Sequence, residues 1–182
     1  MIPATWTSNE HLDPAHLNSR IRDGNLALSK PPYAILSNAP TYNIAGNGAT
    51  NELWFLNLAS NKMTALTSGS IKRGVKLTED GAYDIDLNIS AQVDGGSPES
   101  HLIVFIVVNG SLAGRGIFTA RHGYTQSAHV KRVLALNAGD EVTAHVFTDS
   151  GRTAKFGLTD STNQGCRMTI HRIGARYPTI WP

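Results

Sequence analysis

The chain reads as an all-β protein, an antiparallel jelly-roll sandwich preceded by a short N-terminal α-helical segment. Three observations carry that reading. From Glu52 to Ile173, apolar and polar residues alternate at period two in short runs, the spacing that turns one face of a strand toward a core. Turn chemistry separates the runs, and the 17 Gly and 8 Pro of the whole chain point to frequent turns rather than long helices. Helical periodicity is confined to the residues before Lys30.

In the N-terminal stretch, Asp13 is placed to cap a helix, and Pro14 then falls at the first helical position, where its missing N–H costs nothing. Leu12 and Leu17 are spaced as a hydrophobic staple, and Leu17, Ile21 and Leu28 recur on one face. Lys30-Pro31-Pro32 ends the helix. A four-turn helix with so narrow a stripe, flanked by Arg20, Arg22 and Asp23, is not stable alone and needs a surface to dock on. That surface is either the chain's own domain or a partner. Fenced off by the two prolines, residues 1–32 read as an anchor that grips through Leu12, Leu17, Ile21 and Leu28.

Residues 33–51 are rich in Pro, Asn, Gly and Ala and read as a linker holding a first strand, Thr41–Ala45, between two turns. Residues 52–182 then form the head, and a chain beginning near Thr50 is expected to fold by itself. Within it, Leu53 to Leu58 opens the strand series. Tyr83 to Ile89 follows, with Tyr83, Ile85, Leu87 and Ile89 toward the core and Asp84, Asp86 and Asn88 away from it. Gly95 to Pro98 is a loop. Leu102 to Val108 ends in Asn109-Gly110, a strong hairpin signal, with Ile117 to Thr119 as the return. Val130 to Leu136 turns through Asn137 to Asp140 into Glu141 to Phe147, and Arg167 to Ile173 closes the domain. The total is eight to ten short strands.

Composition narrows the function. A net charge of +2 is too small to mark a nucleic-acid-binding surface, and the longest apolar run is far short of a membrane span. The first residues lack the basic and apolar regions of a secretory signal, so synthesis in a reducing cytosol is expected. A single cysteine, Cys166, excludes an internal disulfide framework and a multi-cysteine metal site.

Candidate chemistry is sparse. His11, His16, His101, His122, His129, His145 and His171 are scattered without the close pairs of zinc sites, so no metal or other cofactor is expected. Asp84, Asp86 and Asn88 share a strand face, but side chains about 7 Å apart are too widely spaced for one calcium ion, and a solvated face explains them better. Asp140 and Glu141 sit where turn chemistry calls for Asp. Cys166 reads as a small core residue, and no serine lies in a nucleophile elbow. The glycine-rich run Gly110 to Gly116 leads into a strand rather than a helix, which excludes a phosphate cradle. Arg115, Arg121, His122, Lys131 and Arg132 read as a solvated basic face. No catalytic residue emerges.

Leu102 to Val108 poses a separate problem, because it is apolar on both faces. One face can fill the core, and the other needs a cover, which a second copy of the same sheet supplies. Leu102, Val104, Phe105, Ile106 and Val108 are therefore the candidates for a contact between copies, with the outward half of the run left open.

Two resemblances sharpen this reading. Trp54-Phe55-Leu56-Asn57 and Asn61, then Leu77 to Ile85 with Gly81-Ala82-Tyr83, Val104 to Gly110, Leu134 to Val142 with Gly139-Asp140, and finally Met168 to Ile173 follow in an order that resembles the C1q/TNF-like jelly roll. The match spans about two thirds of the chain and departs from the animal members in having few core aromatics. It implies a homotrimer. The N-terminal Thr5-Trp6, Glu10, Leu17-Asn18, Ile21-Arg22-Asp23 and Leu28, closed by Pro31-Pro32, is similar to the openings of tailed-bacteriophage virion proteins.

Together they imply a non-enzymatic phage structural protein on the virion surface, most simply a head fibre or capsid decoration protein. The N-terminal segment would hold a capsid or tail protein. The alternative is a tail-tip receptor-binding protein for host surface glycans, with Tyr124 near Arg121 and His122 as contacts. Neither nucleic acid nor membrane is an expected partner.

Overall fold

The computed structural model describes residues 31–40, 42–46, 48–94, 99–121, 123–149, 151–156 and 165–174. The expected helix, and with it Leu12, Leu17, Ile21 and Leu28, lies outside the described residues. Thirteen strands are present among them: β1 Tyr33–Ser37, β2 Tyr42–Ala45, β3 Asn51–Glu52, β4 Asn57–Asn61, β5 Met63–Ser68, β6 Ile71–Leu77, β7 Gly81–Asp94, β8 Glu99–Val108, β9 Ser111–Arg121, β10 Thr125–Leu136, β11 Glu141–Thr148, β12 Thr153–Phe156 and β13 Arg167–Gly174.

They form two antiparallel sheets. Sheet A runs β2-β12-β7-β13-β1-β4, and β10 pairs with β7 along its other edge. Sheet B runs β5-β6-β11-β8-β9, with β3 also on β11. The alternation read from Tyr83 onward holds: Tyr83, Ile85, Leu87 and Ile89 are fully buried, and they meet Val104, Ile106, Val142, Ala144 and Val146 of sheet B in one core. The Asn109-Gly110 turn places both residues at positive φ, 50° and 76°, as a two-residue hairpin of matching twist requires.

Two expectations are corrected. Residues 33–51 are not a linker with one strand. They supply β1, β2 and β3, and β1 sits inside sheet A between β13 and β4, with Ala34 and Leu36 fully buried. A chain cut near Thr50 would lose that strand. Leu53 to Leu58 is not one strand either, because there the chain passes from sheet B to sheet A. Leu53 N–H donates to the Ala144 carbonyl in sheet B, and Leu56 N–H to the Asn38 carbonyl beside sheet A. The segment is apolar because Leu53 and Phe55 cross the core and are fully buried on the way.

The sandwich closes along one side, where β9 lies beside β10 without ladder pairing. Glycine makes this possible. A Cβ on Gly116 would come within 2.4 Å of the His129 carbonyl oxygen, and one on Gly114 within 2.7 Å of Arg132 Cγ. The glycine-rich run has this packing role.

Candidate functional site

Because cross-strand partners share a face, the pairing registers define what each sheet shows to solvent. On sheet A one row reads Asn61, Tyr33, His171, Asp84 and Val133, and the next Ala59, Ile35, Thr169, Asp86 and Lys131. The charges in these rows are matched side by side. Lys131 Nζ lies 3.0 Å from Asp84 Oδ2, and His129 Nε2 lies 2.9 Å from Asp86 Oδ1. The hydrogen bond to Asp84 raises the Lys131 pKa further above its ordinary value. Asp94 pairs with Lys155, and the Tyr33 and His171 rings stack with centroids 6.2 Å apart. Of the residues weighed as calcium ligands, Asp84 faces the Lys131 ammonium instead and Asp86 lies against the His129 ring.

The other histidines are equally dispersed. His101 Nδ1 meets Asp149 at 3.1 Å, and His145, half-buried on sheet B, has its pKa lowered by burial. His11, His16 and His122 lie outside the described residues. No group of three or more His, Cys, Asp or Glu suited to a metal occurs among the described residues. Cys166 is buried, its Sγ donates to the Ser90 carbonyl at 3.5 Å, and burial pushes its thiol up to about 12, which suits a core residue.

Asp140 and Glu141 turn out to belong to a brace that the sequence reading missed. Asn109 Nδ2 donates to Asp140 Oδ1 at 2.8 Å, while the Glu141 N–H donates to Asn109 Oδ1 at 2.9 Å. Asp140 Oδ2 also accepts from the Asn137 N–H at 2.8 Å, so one carboxylate ties the β8–β9 turn to the β10–β11 turn. Only the coincidence of Asn-Gly with Asn-x-Gly-Asp signals it in sequence. The basic residues do not converge: Arg115 pairs with Phe105 on sheet B, while Lys131 lies on sheet A.

The outer face of sheet B is of a different kind. Its rows read Phe147, Ile103 and Ile117; then Glu52, His145, Phe105 and Arg115; then Leu66, Gly74, Thr143, Val107 and Leu112. The run from Leu102 to Val108 is therefore divided. Leu102, Val104 and Ile106 are fully buried in the sandwich core, and Val108 packs against it, so these four are not available to a neighbouring copy. Of the residues named for that contact, Phe105 points outward. It is joined by Ile103 and Val107 of the same strand and by Leu112 and Ile117, which are 60% and 50% exposed. Ile117 lies in the return strand as read from sequence, but Leu112, five residues before it, shares its face only because the register shifts between Ile106 and Val107, which a strict period of two does not show. Tyr124, at the β9–β10 turn, is 67% exposed.

This two-sheet arrangement defines the class of protein. It is a TNF-like jelly roll, similar to Eiger TNF from S. frugiperda with a TM-score of 0.56 and 9% identity over 84% of this chain and 99% of that one. It is similar also to murine APRIL at pH 8.0, with a TM-score of 0.53 and 14% identity over 79% of this chain and 100% of that one. Murine APRIL at pH 5.0 gives 0.51 and 12% over the same shares. No protein-family profile and no curated protein matches the chain. The likeness is one of fold.

Proposed function

We propose that the chain is a non-enzymatic structural protein of a tailed-phage virion, a head fibre or capsid decoration protein displaying a trimeric jelly-roll head. The observation that carries this reading is the joining of two parts. A TNF-like sandwich begins at Tyr33, directly after an N-terminal segment whose Thr-Trp, Leu-Asn and Ile-Arg-Asp spacing is similar to virion-protein openings. The chemistry of the described residues fits display better than catalysis, since Asp84 and Asp86 on sheet A pair with Lys131 and His129 and the cysteine is buried.

The C1q/TNF-like resemblance implies three copies. The exposed Tyr124 at the β9–β10 turn favours a second reading, a tail-tip protein that stacks an aromatic ring on a host glycan. Electron microscopy of particles carrying labelled protein separates the two. Label over the shell at high copy number supports decoration, and label confined to the tail end at low copy number supports the alternative. Absence from purified particles overturns both.

A further inference from the structure

We propose that Asn109 is a latent covalent modification site, an asparagine set to cyclise onto the Gly110 nitrogen with loss of ammonia, and that the Asp140 carboxylate holds the reaction in check.

The reaction needs no partner but water. The Gly110 nitrogen attacks the side-chain carbonyl carbon of Asn109, forming a C–N bond while the bond to Nδ2 breaks. The proton of the Gly110 N–H leaves with Nδ2 as ammonia, and a five-membered succinimide remains. Water then opens the ring at either carbonyl, which leaves aspartate or isoaspartate at position 109. Nothing is oxidised or reduced.

The turn supplies what this chemistry asks for. Residue 110 is glycine, and no atom lies within 4 Å of where its Cβ would stand, so nothing crowds the attacking nitrogen. Both residues are exposed, and water reaches them. The ladder closes between Val108 and Ser111, which leaves the Gly110 nitrogen outside it.

What opposes the reaction is the hold on the carboxamide. Nδ2 donates to Asp140 Oδ1 at 2.8 Å, Oδ1 accepts from the Glu141 N–H at 2.9 Å, and the Asn109 N–H donates to the Glu141 carbonyl at 2.9 Å. All three bonds lead to the β10–β11 turn. Asp140 is itself held there by the Asn137 N–H, so the acceptor does not follow the amide. The side-chain carbon cannot swing toward the Gly110 nitrogen until both ends of the amide are released. A bond to a charged group is worth about tenfold or more, and its neutral companion a little less. The folded chain should therefore react about a hundredfold more slowly than the unfolded one.

The choice of residue argues the same way. A turn of this type accepts Asp-Gly and Gly-Gly as well as Asn-Gly. Of the three, only asparagine offers both a donor for Asp140 and an acceptor for the Glu141 N–H. An aspartate there would set a second carboxylate against that of Asp140, and like charges in contact repel. Modification thus destroys the brace that restrained it. Isoaspartate also adds a backbone atom to a two-residue loop. The damage stays at the tip, because Val108–Ser111 and Val107–Leu112 are the only pairs between the turn and the register shift.

The test is peptide mapping by mass spectrometry of the full chain in mildly alkaline buffer, folded and in urea. Asn47-Gly48, the same dipeptide, provides a reference in the same digest. Deamidation exchanges NH2 for OH, and chromatography separates the isoaspartate form from the aspartate form. In urea both pairs should react at comparable rates. In the folded chain Asn109 should be about a hundredfold slower than in urea, and Asp140→Ala should restore about tenfold of that. A melting curve verifies that the variant folds. If it does not, Asp140→Asn, which keeps a neutral acceptor, should quicken the reaction about threefold. Asn109→Asp, the product made directly, should melt below Asn109→Gly, which loses the brace without the repulsion. An Asn109 that stays unreactive in urea overturns the site. Equal rates in the folded and unfolded chain overturn the restraint. A slow rate unchanged in a folded Asp140 variant gives the protection to the turn alone and removes Asp140 from the proposal.

Discussion

The two outer faces of one sandwich are built from the same alternation and end in opposite chemistry. On sheet A, every second residue of β7 is an acid or amide from Asp84 to Asn88, and β10 answers Asp84 and Asp86 with Lys131 and His129. On sheet B, the corresponding positions of β8 are Ile103, Phe105 and Val107, and β9 answers with Ile117, Arg115 and Leu112. The first face is complete in water. The second shows apolar side chains at most of the same positions. Period two thus fixes which residues of β7 and β8 point out, while residue type decides how polar each outer face is.

The largest effect expected from this comparison concerns the strand that both readings of the domain boundary dispute. Because β1 lies inside sheet A, deleting residues 1–30 should leave the sandwich folded, whereas deleting 1–49 should abolish the cooperative melt. Circular dichroism on the two truncations decides it. If the shorter chain melts like the longer one, β1 contributes nothing and the placement of the boundary is wrong.

Next in size is a contrast within β7. Ile85→Asp would bury an unpaired carboxylate in the core and should cost several kcal/mol in chemical denaturation. Asp86→Ala, one residue on, removes an exposed pair with His129 and should cost under about 1 kcal/mol. Equal tolerance at the two positions would show that the faces are misassigned.

How much of this was legible beforehand depends on burial on two sides or one. β7, β8, β10, β11 and β13 announced themselves, because each alternates or ends in a turn of fixed chemistry such as Asn109-Gly110. β5 and β6 did not. Met63 and Ala65 alternate with Thr64, but Leu66 and Thr67 break the pattern, and β6 places Lys72, Arg73 and Gly74 in its middle. β1 was obscured by the prolines and asparagines around it, and Leu53 to Leu58 looked like a strand because a crossing through the core must be apolar. The division of Leu102 to Val108 could not be read from a run apolar on both faces. Only the partners Val142, Ala144 and Val146, buried on β11, identify Val108, Ile106 and Val104 as the inner set. The Asn109–Asp140 brace joins residues 31 apart and has no local signature.

A smaller expected effect comes from pH. His145, half-buried on the sheet B face, has its pKa lowered from 6.5 by burial, and the unfolded chain therefore takes up its proton first. Its contribution is fully present above about pH 6.5 and is lost as pH falls toward the folded value. At the alkaline end, burial pushes Cys166 from 9.0 and Tyr83 from 10.0 up to about 12 in each case. The folded state then holds protons that the unfolded chain releases, so stability should fall as pH rises from about 9 toward 12. Melting temperatures across pH should show both flanks, and His145→Gln should flatten the acid one alone. An unchanged acid flank in that variant would remove His145 from the account.

The central claim, that the jelly-roll head associates with copies of itself, is tested most directly by site-specific cross-linking of the full chain. Ile117→Cys and Thr169→Cys place one thiol on each outer face, and the native Cys166 is buried, so a short bismaleimide reacts at the introduced position. The account expects one of the two variants to join chain to chain on a denaturing gel, which also names the face that copies share. No cross-linking through either position at micromolar concentration would contradict it.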